Sequence, residues 1–417
     1  MSVDDRGLRD AQAAALQALR HHPTVLGVGF GAKEVGGRST GRVALKVVVA
    51  RRLPPEGLRP GERIPPSIAG IDTDVIEVGP FRPITDRSPS PPPGTPMWGY
   101  DHHFSDYVVR PLIGGVSIGT FFATTQGTLG AMLVDANSSR VFGLTNQHVI
   151  QIKRAAGDPP TLPHPVYQPR LMRSQAATGW IGPMAALDGA AKTIIGTVVH
   201  EAPPRPDDEL EMLSEPTPDA ALIELNTGLQ WRAAVEKIGP IRGRATITVQ
   251  QIIDGTAAVR KVGARSGLTG GRVIMIGGQW ISSAGQPPVP ASPSTNDLVI
   301  EANPSVARGD YGPEVSTFTN YGDSGSVVVD NANRIVGLAW GIRPYVHRRV
   351  VPGFLEYVEL DEDHIPPEPG HAIADSIEAV LAYFNDQPTL GLALDVASTS
   401  AAGDRVIDAP LMTVGSP

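Results

Sequence analysis

Leu8, Ala11, Ala15, Leu16 and Leu19 recur at a period of about 3.6 residues with alanines between them, which predicts an amphipathic helix over residues 8–20. Pro23 ends it. Three runs rich in β-branched residues follow, Val25 to Phe30, Val43 to Val49 and Asp74 to Val78, separated by Gly or Pro clusters that mark strand ends. One helix and three strands predict a small α+β module over residues 1–82. Within it, Gly27, Gly29 and Gly31 alternate with apolar residues. A dinucleotide site would require a helix directly afterwards. Gly36-Gly37 and another strand follow instead, so these are read as hairpin glycines.

From about residue 108 the pattern changes to short strands. Gly127 to Val134 and Val141 to Leu144 flank the polar turn Asp135-Ala136-Asn137-Ser138-Ser139, a hairpin signature. Further strands are predicted at Ala220 to Leu225, Ala257 to Val262, Arg272 to Ile276, Leu298 to Glu301, Ser326 to Val329, Ile335 to Ala339 and Phe354 to Val358. Short strands at regular spacing predict barrels or sandwiches. Residues 150–215 and 281–296 read as loops, the second because of Pro287, Pro288, Pro290 and Pro293. His371 to Phe384 is predicted as a second helix, with Ile373, Ile377, Val380, Leu381 and Phe384 on one face.

Composition sharpens the division. Gly (46) and Pro (40) are abundant, which suits strands joined by turns. Ser88-Pro89-Ser90-Pro91-Pro92-Pro93-Gly94 centres an extended linker at residues 83–107, ahead of a larger domain at 108–397 and a small, polar tail at 398–417 expected to be mobile. A net charge of −8 without a basic run argues against nucleic-acid or anionic-membrane partners. There are no cysteines, hence no disulfide, thiolate metal site or cysteine nucleophile. The N-terminus lacks the basic start and apolar stretch of a signal peptide, and a cytoplasmic location is expected. The histidines are scattered without metal-ligand spacing, so neither a metal nor another cofactor is expected.

Three segments bear chemistry: Thr145-Asn146-Gln147-His148-Val149, Pro218-Asp219-Ala220-Ala221-Leu222 and Gly322-Asp323-Ser324-Gly325-Ser326. A serine hydroxyl becomes a nucleophile when a base stands beside it and a third group orients that base. Ser324 lies in a glycine-rich turn whose Gly322 and Ser324 amides are suited to bind an oxyanion. His148 follows a strand into a Thr-Asn pair. Asp219 opens an apolar run, where an unpartnered carboxylate would be costly. Each has a plainer reading alone: a polar turn, a satisfied histidine, a capping aspartate. Asp188, Asp207 and Asp208 are weaker rivals for the carboxylate, since all three lie in loop-like sequence.

On these residues the chain resembles the trypsin-like (chymotrypsin-fold) serine proteases, whose triad follows the same His, Asp, Ser order. Asp219-Ala220-Ala221-Leu222 is similar to the family's Asp-Ile-Ala-Leu, and Ile335-Val336-Gly337-Leu338-Ala339-Trp340-Gly341 to its substrate-side strand. Arg110-Pro111-Leu112-Ile113-Gly114-Gly115, and Val259-Arg260-Lys261-Val262-Gly263 with Ser266-Gly267-Leu268-Thr269, resemble the cysteine-free bacterial branch, with the plant narrow-leaf protease a distant relative in style. The resemblance implies a mainly β fold of two antiparallel six-stranded barrels behind the α+β module. It implies His148 as base, Asp219 as its orienting group, Ser324 as nucleophile, and Trp340 and Gly341 as substrate-binding residues. Counting six residues back from Ser324 reaches Phe318 where a trypsin has aspartate, so preference for apolar or small side chains over Arg or Lys is expected. Ala339 stands where the family has a serine that supports the aspartate, and Ser326 replaces the usual second glycine. Many relatives are switched on by a freed N-terminus that pairs with the aspartate before the serine, here Asp323. Arg110-Pro111 is a poor site for that cut, and no such cleavage is expected. The implied activity is that of a serine endopeptidase acting on intracellular protein or peptide substrates through an acyl-enzyme. The alternative is a catalytically weak or inactive trypsin-fold binding or scaffold protein. The α+β module is read as regulatory or as an assembly surface, which leaves room for a homo-oligomer.

Overall fold

The structure is a computed structural model of the chain. It describes residues 5–49, 52, 58–59, 63–78, 82–83, 108–120, 127–150, 164–169, 194–203, 217–281, 297–303, 318–320, 322–342, 346–351, 354–359 and 371–399. Residues 84–107 of the predicted linker and 400–417 of the predicted tail lie outside these.

The first helix, Asp5–Leu19, follows its apolar stripe: Ala11, Ala15, Leu16 and Leu19 bury against Val28, Phe30, Leu45 and Val47. Strands Val25–Val35 and Arg38–Val49 form an antiparallel hairpin turning at Gly36-Gly37, and Ile71–Glu77 lies parallel to the second strand. Gly27, Gly29 and Gly31 lie in the first strand of this hairpin, opposite Val48, Lys46 and Ala44. Their use is close approach. A Cβ on Gly27 would lie 2.5 Å from Gln279 O, and one on Gly29 would lie 2.6 Å from Met275 Cγ. The missing side chains let a strand from the far half of the molecule pair with this one, Gly27 opposite Trp280 and Phe30 opposite Ile276.

That partner is Gly267–Trp280, a 14-residue strand that does two jobs. Its near end closes a six-stranded barrel in the order Ala258–Gly263, Val327–Asp330, Ile335–Ile342, His371–Ser376, Asp297–Ala302, Gly267–Trp280, the last pairing back onto the first. Its far end carries the α+β sheet, so module and barrel share one continuous sheet. Val259, Val273, Ile300, Phe318, Val328 and Ala374 fill the barrel. The preceding half is a curled eight-stranded sheet in the order Leu394–Val396, Ala131–Asp135, Val141–Thr145, Ala221–Leu225, Ile194–Glu201, His164–Tyr167, Val116–Thr120, Gly127–Leu129. The expected mainly β class holds: one half closes with six strands, and the other curls with eight.

Two expectations are corrected. Residues 371–376 are a barrel strand, and only Ile377–Asn385 is helical. Strand His371–Ser376 hydrogen-bonds to neighbours on both sides, so barrel closure overrides the local helical spacing. Ser376 then starts the helix, its Oγ accepting from Ala379 N at 3.2 Å. The stretch read as loops, 150–215, contains strands His164–Tyr167 and Ile194–Glu201. The two halves meet over a joint core of Leu144 and Leu222 from one side and Val262, Val327, Leu338 and Phe384 from the other. The candidate residues His148, Asp219 and Ser324 gather at this seam. Among the described residues no helix is long and apolar enough to cross a membrane.

Candidate active site

Strand Val141–Thr145 pairs antiparallel with Ala221–Leu225, Thr145 facing Ala221. This register brings the turn after Thr145 beside the residue just before Ala220. His148 sits in the one-turn helix Gln147–Ile150, and its Nδ1 lies 2.5 Å from Asp219 Oδ2. An ionised carboxylate only accepts hydrogen bonds, so Nδ1 carries the proton and Nε2 is the ring's acceptor. The other carboxylate oxygen accepts from Gln147 N at 2.8 Å and His148 N at 3.2 Å. Asn146 Nδ2 donates to the Asp219 carbonyl at 2.5 Å, and the Asp219 amide donates to Asp375 Oδ2 at 2.9 Å. Every polar atom of Asp219 is thus engaged, as a residue only 2% exposed requires.

Ser324 arrives from the other half, in the turn before strand Val327–Asp330. Its carbonyl accepts from Thr128 N at 2.7 Å, while Thr128 Oγ1 donates to Gly322 O at 3.1 Å and Thr145 Oγ1 donates to Thr128 O at 2.9 Å. Gly325 has φ 87°, and a Cβ there would fall 2.3 Å from both Thr128 O and Thr145 Oγ1. Only glycine lets the serine turn press onto Thr145, three residues before His148. Gly322, the other predicted amide donor, has φ 95°. The structure thus joins His148 to Asp219 directly and seats the Ser324 turn on the strand end that carries the histidine.

A second buried centre lies one residue away, and sequence reasoning missed half of it. Asp323 Oδ2 accepts from Lys261 Nζ at 2.5 Å, from Ser266 Oγ at 2.5 Å and from Asn320 N at 2.8 Å. Its Oδ1 accepts from Ser266 N at 2.9 Å and Arg265 N at 3.0 Å. Lys261 is fully buried and also donates to Ser266 Oγ at 2.5 Å. Burial pushes the Lys261 ammonium below its ordinary range, opposed by the charge and hydrogen bond of Asp323. The signal in the sequence was a lysine inside the apolar strand Ala258–Gly263.

The remaining predicted residues are covered. Phe318 is buried in the barrel core, its carbonyl accepting from Thr269 Oγ1 at 2.6 Å. Trp340 is 0% exposed, packed with Leu26, Val48 and Val78 of the α+β module. Gly341 pairs with Ile373 on one side and with Pro83 on the other. Ala339 pairs with Ala374 and donates its amide to Ser326 O at 2.9 Å. Among the described residues no group of three or more His, Asp or Glu is placed to hold a metal ion.

No family model matches the chain, and no curated protein sequence matches it. Among solved structures, protease A of Thermobifida fusca aligns with a TM-score of 0.36 at 12% identity, covering 69% of this chain and 98% of that one. A chymotrypsin of Cellulomonas bogoriensis aligns with a TM-score of 0.35 at 12% identity and the same coverages of 69% and 98%.

Proposed function

We propose that the chain is a serine peptidase acting in the cytoplasm on protein or peptide substrates. The observation that carries this reading is the buried His148–Asp219 pair with the Ser324 turn seated on the same strand end. In the proposed reaction Ser324 Oγ attacks a peptide carbonyl while His148 Nε2 takes its proton. Asp219 holds the Nδ1–H tautomer and stabilises the imidazolium that forms. The amides of Gly322 and Ser324 bind the oxyanion. His148 returns the proton to the leaving amine, leaving an acyl-enzyme. Water, deprotonated by His148, then releases the acid and restores Ser324. The test is labelling by a fluorophosphonate: the native chain is labelled and Ser324→Ala is not. Labelling that survives the substitution would overturn the reading.

The centre needs no cut to form, because Lys261 supplies the internal cation that a freed N-terminus would otherwise bring to Asp323. The α+β module acts instead as a cover. Strand Ile335–Ile342 lies beside Val327–Asp330 through Leu338, opposite Val327, and the same edge further along, at Gly341 and Ile342, is taken by Pro83 and Arg82. An extended peptide adds to such an edge by main-chain pairing. The chain's own segment therefore occupies the edge beside the Ser324 turn, and Trp340 next to it is sealed by module residues. Replacing residues 80–85 with glycines and serines keeps the shared sheet and frees the edge. Peptide hydrolysis and fluorophosphonate labelling should then both accelerate. Unchanged rates would remove the covering role and leave the triad assignment standing.

A further inference from the structure

Asp375 is a carboxylate where the local pattern calls for none. It follows Ala372-Ile373-Ala374 in a buried barrel strand and is itself 2% exposed. Across that strand it faces Leu338 on one side and Asp297 on the other. Asp297 accepts from Trp280 Nε1 at 2.5 Å. Burying a carboxylate is expensive unless its oxygens are hydrogen-bonded. One bond of Asp375 is unusual in its direction. Its Oδ2 accepts the main-chain amide of Asp219 at 2.9 Å, reaching from the closed barrel across the seam to the other half.

The neighbouring strand offers Asp219 no side-chain hydroxyl at Ala339. The Ala339 methyl group faces the barrel core with Ala374. Asp375 neighbours Ala374 in the adjacent strand, and alternation along the strand turns its side chain to the opposite face, outward to the seam. The Asp219 side chain is oriented by the amides of Gln147 and His148, but those amides fix the carboxylate relative to the histidine turn alone. The bond to Asp375 ties the Asp219 main chain directly to the half that carries Ser324. We propose that Asp375 is a positioning residue: its carboxylate oxygen pins the amide of Asp219 across the seam and so sets the registry of the His148–Asp219 pair against the Ser324 turn. The role rests on the peptidase reading, since registry matters only if Ser324 and His148 exchange a proton.

The test compares Asp375→Ala, which removes the acceptor, with Asp375→Asn, which keeps an amide oxygen in the same place. Hydrolysis of a small activated ester is measured for both, with the His148 Nδ1 proton resonance read in a Ser324→Ala background. Misplacing a catalytic pair by about 1 Å can lower turnover about 100-fold. Asp375→Ala should lose kcat about 10- to 100-fold with KM within about twofold, and its Nδ1 resonance should move. Asp375→Asn should restore most of kcat and the native resonance. If Asp375→Ala fails to fold, Asp375→Ser takes its place and should show the same loss, since its shorter side chain falls short of the Asp219 amide. Native kcat and resonance in the folded variant lacking the acceptor would overturn the proposal, as would equal losses in Asp375→Asn and Asp375→Ala. A native chain that neither hydrolyses the ester nor labels, yet shows the same response of the Nδ1 resonance, would refute the peptidase reading and leave the anchoring bond in place.

Discussion

Asp219 and Asp323 are two buried aspartates, each in a turn just ahead of a strand. Both accept hydrogen bonds from two backbone amides through one oxygen. They differ in the cation-forming group on the other oxygen. Asp219 faces an imidazole that is 8% exposed, whereas Asp323 faces an ammonium with no exposed surface. An imidazole changes charge near neutral pH and passes protons. A sealed ammonium hydrogen-bonded to a carboxylate and to Ser266 has no route for exchange with solvent, and it fixes geometry. Similar burial and the same pair of amides on one oxygen therefore suit different partners, with a third amide, Asn320 N, added at Asp323. The partner decides whether a buried carboxylate tunes a base or staples a loop.

The comparison breaks most severely at Asp219. Asp219→Asn keeps its shape but presents the wrong partner to Nδ1, and turnover should fall about 10,000-fold while thermal unfolding shifts little. A small loss of turnover would mean that His148 needs no carboxylate. At the second centre the effect should appear as stability. Lys261→Met leaves Asp323 charged and unpaired, at a loss of about 3–5 kcal/mol by denaturant titration. Lys261→Met combined with Asp323→Asn removes both charges, keeps an acceptor for the Arg265 and Ser266 amides and should recover much of that loss. A double variant no better than the single would show that the turn depends on the pair itself. Asp135 supplies the weakest contrast, an aspartate held by the Ala393 amide at 2.8 Å, the Asn137 amide at 3.2 Å and the Ser138 hydroxyl. Burial pushes its pKa up, but bonds from Ser138, Ala393 and Asn137 and the charge of Arg140 outweigh that and leave it below the ordinary 3.8. A depressed acid favours the folded state above its ordinary pKa, and the gain disappears as pH falls through the folded value. The native chain should lose stability more steeply than Asp135→Asn below about pH 4, read by unfolding at stepped pH. Parallel curves would remove Asp135 from the acid response.

How much of this was legible follows from what a local pattern encodes. The helix Asp5–Leu19, the hairpin at Gly36-Gly37 and the turn after Asp135 were readable because periodicity and turn residues act within a few positions. Ser324, Asp219 and His148 were readable as candidates because each sits in a telling local context. The strand His371–Ser376 was misread because its apolar spacing also fits a helix, and barrel closure made the choice.

The chain by itself determined which faces are apolar, where it turns and which side chains are candidates for chemistry, since those are properties of neighbouring residues. The tertiary structure alone decided who meets whom: Lys261 with Asp323 across 62 positions, Asp375 with Asp219 across 156, and Gly27 with Trp280 in a sheet shared by the two ends of the fold. Those meetings depend on strand register and on the curl of the sheets. They are set by the summed packing of many distant residues, and no window of sequence contains that sum.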